Sequence, residues 1–289
     1  MKAPQPPAPN LFRKIPVLRR LHYYYSLNWI KNNPDAEVYY RITDNLKMLL
    51  TVKEWIQQCL FIYGYFELAE TAFWKKITLN KSTVFDIGAN IGYFSLLASK
   101  RIKRDGKIYA FEPVNRTYTR AKINIELNHF ENIILSKLAL SDHDRKLIIN
   151  SGNEDNWGMS SINVNDQLKG FSEEVQATSV DNFVAANGIK NLDVAKIDVE
   201  GGELFTLKGM TQTIDKMRPV ILIEVLDETL IPAGTSKEEV FKFITDKNYK
   251  PYKILNNCQL KELEKPVSED GLICFYPVDQ PFDNFIKLV

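Results

Sequence analysis

The chain has 289 residues, 45% of them hydrophobic, enough for one large packed domain or a domain with a sizeable extension, which excludes a disordered protein. Its 37 lysines and arginines nearly balance 36 aspartates and glutamates, and a net charge of +1 gives no support to general nucleic-acid binding. Three scattered cysteines, Cys59, Cys258 and Cys274, exclude a disulfide framework or a zinc site and fit a reducing interior.

Residues 1–10 form a proline-rich stretch expected to be a flexible tail. No apolar stretch long enough for a signal-peptide core or a membrane span follows it, so the expected location is cytoplasmic, with membrane-peripheral contact as the variant. Residues 11–80 read as a mostly helical extension rich in aromatics. Residues 1–34 hold Lys2, Arg13, Lys14, Arg19, Arg20 and Lys31 with no acid, interleaved with leucines and three tyrosines. Such a segment reads as a positive helix packed on the main domain or, over residues 11–31, as a peripheral contact with an anionic membrane or a partner. Trp55, Ile56, Cys59, Leu60, Ile62 and Tyr63 lie close to a helical stripe, which Gly64 interrupts.

From Thr83 onward strands and helices alternate, the pattern of an α/β fold with a parallel sheet, and residues 81–289 read as one domain. A strand at 83–87 is followed by a helix at 92–103, and a strand at 107–111 by a helix at 115–128. A third strand is expected near 132–139, then an insertion of short strands and loops at 145–178. A helix at 180–186 ends before Gly188, and a strand at 192–198 leads through Gly201-Gly202 into another helix. The apolar run 220–225 suits a buried parallel strand, Ser236-Lys-Glu-Glu239 is a capping box, and strands near 250–255 and 271–276 close the sheet as an antiparallel pair.

The run Thr83-Val-Phe-Asp-Ile-Gly-Ala-Asn-Ile-Gly-Tyr-Phe-Ser95 carries the main functional signal: a buried strand, a glycine turn and a helix start. The spacing Asp86-x-Gly88-x-x-x-Gly92, with Asn90 inside the turn, lacks the middle glycine of the dinucleotide fingerprint and points away from NAD toward S-adenosylmethionine. Glu112 ends the next strand, where an acid accepts hydrogen bonds from ribose hydroxyls. Ala139-Leu-Ser141-Asp142 reads either as a bracket for adenine, with Leu140 as the apolar contact and Asp142 as acceptor, or as a turn that Ser141 or Asp142 closes on its own backbone. Lys196-Ile-Asp-Val-Glu-Gly-Gly-Glu203 ends a further strand with Asp198 and Glu200 facing the same crevice, where their negative potential suits a sulfonium and either is a candidate base. Glu203 reads as a site residue or as a helix-start acid. Glu224, inside Ile221-Leu-Ile-Glu-Val225, is a third catalytic candidate, able to face the site, pair with a buried base or join Asp198 around a divalent cation; the carboxylates alone make an incomplete ligand set unless water and substrate fill the rest, so a divalent metal stays open but is not favoured.

These segments together, with Asn124-Ile-Glu-Leu-Asn128 and Gly158-Met-Ser-Ser161, resemble the FkbM family of S-adenosylmethionine-dependent methyltransferases over roughly residues 55–255. The resemblance implies a Rossmann-like sheet of seven strands, mostly parallel with one antiparallel. It also implies that Asp86, Gly88 and Gly92 hold the amino-acid end of the cofactor, Glu112 the ribose and Asp142 the adenine, and that Glu67 in Gly64-Tyr-Phe-Glu67 approaches the cofactor. Gly202, where the family often has alanine, and the basic aromatic N-terminus depart from the pattern. The expected reaction is methyl transfer to a hydroxyl of a sugar, glycolipid or polyketide-like acceptor, with the segment from Trp157 to Ser161 as a substrate wall. The alternatives are a nucleic-acid methyltransferase, disfavoured by the neutral charge and the lack of an Asn/Asp-Pro-Pro-Tyr/Phe segment, and a non-catalytic module recruited by its N-terminus.

Overall fold

The computed structural model describes residues 16–151, 160–161, 172–264 and 266–289. The tail of residues 1–10 and the stretch 157–159 of the expected substrate wall lie outside the described residues. Helix α1 (Pro16–Asn32) turns His22, Ser26 and Trp29 inward, the spacing of one helical face. Strands β1 (Glu37–Arg41) and β2 (Lys47–Thr51) form an antiparallel hairpin. Helix α2 (Trp55–Tyr63) stops at Gly64, and α3 (Leu68–Ile77) follows. The extension is therefore not helical throughout, and the missed hairpin is the period-two alternation that buries Val38 and Tyr40 while Tyr39 faces solvent.

Next come β3 (Thr83–Ile87), α4 (Tyr93–Ser99), β4 (Lys107–Phe111), α5 (Asn115–Leu127) and β5 (Ile133–Ser136). Strands β6 (Ala139–Ser141), β7 (Arg145–Ser151), β8 (Ser160–Ser161) and β9 (Ser172–Ser179) build a second sheet in the order β6-β9-β7-β8. The chain returns through α6 (Val180–Ala186), β10 (Val194–Ile197), α7 (Glu203–Lys208), α8 (Thr211–Met217) and β11 (Val220–Val225). It closes with α9 (Asp227–Leu230), α10 (Lys237–Thr245), β12 (Tyr249–Leu255), β13 (Gln259–Glu262), β14 (Gly271–Pro277) and β15 (Lys287–Leu288).

The main sheet runs β15-β13-β12-β14-β11-β10-β3-β4-β5, so the expected seven strands with one antiparallel are corrected to nine. Strands β11, β10, β3, β4 and β5 pair in parallel, and β14 runs antiparallel between β11 and β12. The two additional strands cover the free edge of β12: β13 folds back antiparallel on it after a turn with Asn257 at a φ of 62°, and β15 pairs with β13. An edge strand covered in this way presents fewer unpaired backbone groups.

Alternation along the central strands splits the core in two. Val84, Val194, Val220 and Leu222 pack on the face covered by the N-terminal extension, while Phe85, Ile87, Ala195, Ile197, Ile221 and Ile223 pack on the other. Asn124, fully buried on α5, ties the extension to the sheet: its Oδ1 accepts from the Leu49 N–H at 2.8 Å and its Nδ2 donates to the Ile91 carbonyl at 2.9 Å. Trp74 Nε1 donates to the Phe94 carbonyl at 2.8 Å from the same side. The described part of the extension, residues 16–80, therefore shares a core with the sheet rather than forming a separate lobe.

Candidate active site

A cleft opens at the carboxyl ends of β3, β4, β10 and β11. Parallel strands place their C-terminal side chains along one such crevice. Gly88, Asn90, Glu112, Asp198, Glu200 and Glu224 line it, and Glu67 reaches it from the extension, along with Ile56 and Phe66.

One end is built from backbone. Gly88, at a φ of 83°, turns the chain so that its N–H and that of Ala89 both donate to the Phe111 carbonyl, at 3.0 and 2.9 Å. A Cβ at Gly88 would lie 1.7 Å from the Asp198 carbonyl oxygen, so only glycine lets the turn lie against the end of β10. Asn90, at a φ of 50°, aims its N–H at Glu112 Oε2, 2.8 Å away. Glu112 Oε1 accepts from the Val114 N–H at 3.0 Å and the Thr117 hydroxyl at 2.7 Å. Burial pushes the Glu112 carboxyl up to about 7 against these hydrogen bonds, which favour its ionised form.

The other end is built from crowded charges. Period two puts Asp86, Lys196, Asp198 and Glu224 on one face of the sheet, and Lys196 sits beside Asp86 in register. The Lys196 ammonium is 2.5 Å from Asp198 Oδ2 and 4.7 Å from the centre of the Phe94 ring. Burial alone would lower the lysine pKa, but the Asp198 and Asp86 carboxylates outweigh it and hold the ammonium charged. Burial would likewise raise Asp198, and Lys196 reverses this, keeping Asp198 ionised. Glu224, hydrogen-bonded to Asp198, is pushed up to about 10 by burial and by the Asp198 charge, so it carries the proton of the pair.

Glu200 lies beside that pair, held at a φ of 53°, a left-handed conformation uncommon for a glutamate. Burial, then the negative charges of Asp198 and Glu203, push its carboxyl up to about 8. Glu67, accessible at the mouth of the cleft, rises to about 7 through desolvation, with Lys196 opposing. Asp198, Glu200 and Glu224 each offer an oxygen within 4.8 Å of the others, a spacing that could admit a cation, although Lys196 already supplies Asp198 with one.

Several expected residues sit elsewhere. Asp86 is fully buried behind the wall, with Oδ2 accepting from the Ser95 hydroxyl at 2.5 Å, while Oδ1 has no hydrogen-bond partner among the described residues. Gly92 caps α4 at a φ of 85° without lining the cleft. Ser141 is buried and accepts from Arg145 at 2.9 Å, and Asp142 is ion-paired with Arg145 and lies beside His143, both at 3.1 Å, while Leu138, Ala139 and Leu140 form the wall. Glu203 serves the backbone, accepting from the Val199 N–H at 3.0 Å and the Gly201 N–H at 2.9 Å, which fixes the turn that presents Glu200. Lys196 is the residue that motif reading passed over. Its signal was a charge two positions before Asp198 in a buried strand, hence on the same face and in need of a carboxylate.

Residues 86–251, more than half of the chain, match the methyltransferase FkbM domain. The chain is 26% identical over 163 residues to Methyltransferase 1 of Beauveria bassiana, a match covering 50% of this chain and 65% of that protein. It is 27% identical over 166 residues to the hexuronic acid methyltransferase AglP of Haloferax volcanii, covering 56% and 61%. The chain thus spans less than two thirds of the length of both relatives. Among solved structures it is similar to a methyltransferase FkbM from Methylobacillus flagellatus, with a TM-score of 0.43, 12% identity, and coverage of 90% of this chain and 60% of that one. From the match over residues 86–251, the chain belongs to the FkbM methyltransferase family.

Proposed function

We propose that this protein transfers a methyl group from S-adenosylmethionine to a hydroxyl oxygen of a sugar, glycolipid or polyketide-like acceptor, with Glu200 as the base. The observation that carries the choice of base is the division of labour among the carboxyls. Asp198 is held ionised against Lys196 and Glu224 keeps its proton, while Glu200 is pushed up to about 8, near neutral operating pH. When bound, S-adenosylmethionine supplies a methyl carbon activated by its sulfonium.

In this reading Glu112 accepts hydrogen bonds from the ribose hydroxyls while its own contacts keep it oriented, and Phe111, Leu138 and Leu140 supply apolar cover for the adenine. Asp198 and Glu67 add negative potential favourable to a sulfonium. Glu200 takes the acceptor's hydroxyl proton as the oxygen forms its bond to the methyl carbon. The carbon–sulfur bond breaks with its electron pair passing to sulfur, which leaves as a neutral thioether. The Haloferax volcanii relative, a hexuronic acid methyltransferase, favours a sugar acceptor.

The test is incubation with methyl-labelled donor and a panel of glycans, glycolipids, polyols and RNA, with and without chelator. The expected product is a labelled methyl ether of a carbohydrate or polyol, insensitive to chelator. Label on RNA or on nitrogen would overturn the acceptor assignment, and calorimetry that shows binding of NAD and no binding of S-adenosylmethionine would overturn the donor.

A further inference from the structure

We propose that α1, together with the exposed side of α2, docks the protein on an anionic phospholipid bilayer, with the cleft at the membrane surface. The inward face of α1 is the stripe His22, Ser26 and Trp29, flanked by half-buried Tyr23 and Ile30, while Arg19, Arg20, Leu21, Tyr24, Tyr25 and Leu27 are exposed. That outer face carries large apolar groups: Leu21 is 60% exposed, Tyr24 55% and Tyr25 49%. Trp55, 59% exposed, stands at the start of α2. Scattered exposed apolar side chains are ordinary, but leucine and two tyrosines within five residues of α1, with a tryptophan on the helix packed against it, suit the interfacial zone of a bilayer, where a ring can bury its body and leave its polar tip in water.

Charge selects the kind of surface. Arg19, Arg20 and Lys31 lie on α1, which has no aspartate or glutamate. A notch between α1 and α2 is lined by Arg19, Arg20, Tyr23, Tyr24, Tyr63 and Tyr65, together with Ile62, and by no acid. The Arg20 guanidinium lies 5.9 Å from the centre of the Tyr24 ring. Two guanidiniums among phenols form a cradle for a lipid phosphate, and clustered basic groups near a bilayer attract anionic leaflets.

Position ties this face to the chemistry. Helix α2 presents Ile56 to the cleft and Ile62 and Tyr63 to the notch, and the following turn presents Tyr65 to the notch and Phe66 and Glu67 to the cleft. A surface that seats the notch therefore brings the cleft mouth within one short helix of the lipid headgroups. Taken with the methyl-transfer reading, on which this last step rests, the acceptor hydroxyls are those of a glycolipid held in the same membrane.

The test is sedimentation of the full chain with vesicles of phosphatidylcholine alone and of phosphatidylcholine mixed with phosphatidylserine, at low and high salt. The protein is expected to pellet with the mixed vesicles only, and less at high salt. The double change Arg19→Gln with Arg20→Gln should weaken partition roughly thirtyfold. Leu21→Ser with Tyr24→Ser should weaken it at both salt concentrations. Both variants should keep the unfolding midpoint and the S-adenosylmethionine affinity of the parent, since none of these side chains lines the cleft. Equal partition of the arginine variant, or a parent that stays in the supernatant with both vesicles, would overturn the proposal. So would a parent dimer in light scattering that the leucine–tyrosine variant converts to monomer, because the face would then join two copies. Vesicle binding needs no catalysis, so loss of donor binding with vesicle binding intact would sink the methyl-transfer reading and leave the docking surface standing.

Discussion

The two ends of the cleft solve the problem of burying carboxyls in opposite ways. At the glycine-turn end a single acid, Glu112, is satisfied by two backbone N–H groups and one hydroxyl. At the β10–β11 end Asp198, Glu200 and Glu224 crowd together with one buried lysine behind them. Fixed hydrogen bonds make the first end a holder, whose geometry is set before a ligand arrives. Burial, and then mutual repulsion, makes the second a proton store, because buried charges so close cannot all ionise. In the proposed reaction, holding and proton transfer fall at different ends, and substitutions should separate them in measurement.

The largest effect is expected from Lys196→Met. It removes the one cation that keeps Asp198 ionised and leaves Asp86 beside it without a counter-charge. Breaking a buried pair in this way costs about 3–5 kcal/mol, read as a lower midpoint in denaturant unfolding. A change under about 1 kcal/mol, the size typical of an exposed ion pair, would show that the second end does not depend on its lysine.

Next comes Glu200→Gln, expected to lower kcat by about 10²–10⁴ while the Kd for S-adenosylmethionine in calorimetry stays nearly constant. Equal loss of both would move Glu200 from proton transfer to binding. Glu112→Gln should do the reverse with a smaller effect. It should weaken donor binding by about 1.5–3 kcal/mol, the worth of hydrogen bonds to a charged group, while kcat at saturating donor changes little. If the two variants behave alike, the cleft has one function along its length rather than two.

The sequence made the first end more legible than the second. Strands 83–87, 107–111 and 220–225 and helix 180–186 stand at their expected bounds, because apolar runs are punctuated there by glycine, proline or a polar cap. The turn at Gly88 and the acid at Glu112 follow from the same local chemistry. The edge strands β13 and β15 were not legible, because they are short and polar or terminal, and only pairing with distant segments fixes them. Asp86 was legible as a motif residue but not as a buried one. Its place behind the wall depends on the extension covering that face of the sheet, a contact that no local pattern encodes. Lys196, Asp198 and Glu224 share a face by simple period two, yet the sharing of one proton between two acids depends on the register of β10 against β11.

The pH dependence of stability tests the proton store directly, and its sign differs between the groups. Glu112, Glu200, Glu203 and Glu224 are all raised, to about 7, 8, 7 and 10, above an ordinary 4.5. A carboxyl raised on folding binds more protons in the folded chain, so its contribution is greatest at low pH and is lost progressively as pH rises from the unfolded toward the folded value. Asp198 is lowered, and its contribution is lost only as pH falls below 3.8 toward its folded value. The ligand-free protein should therefore melt at a lower temperature at about pH 8.5 than at about pH 5.5, by roughly 2–4 °C for each kcal/mol lost. Glu112→Gln should flatten the part of this decline near neutrality, and Glu224→Gln the part that continues into alkali. A melting temperature that stays level or rises over that interval would show that the β10–β11 end does not store protons in the free protein, and the contrast between holder and store would then fail at its second term.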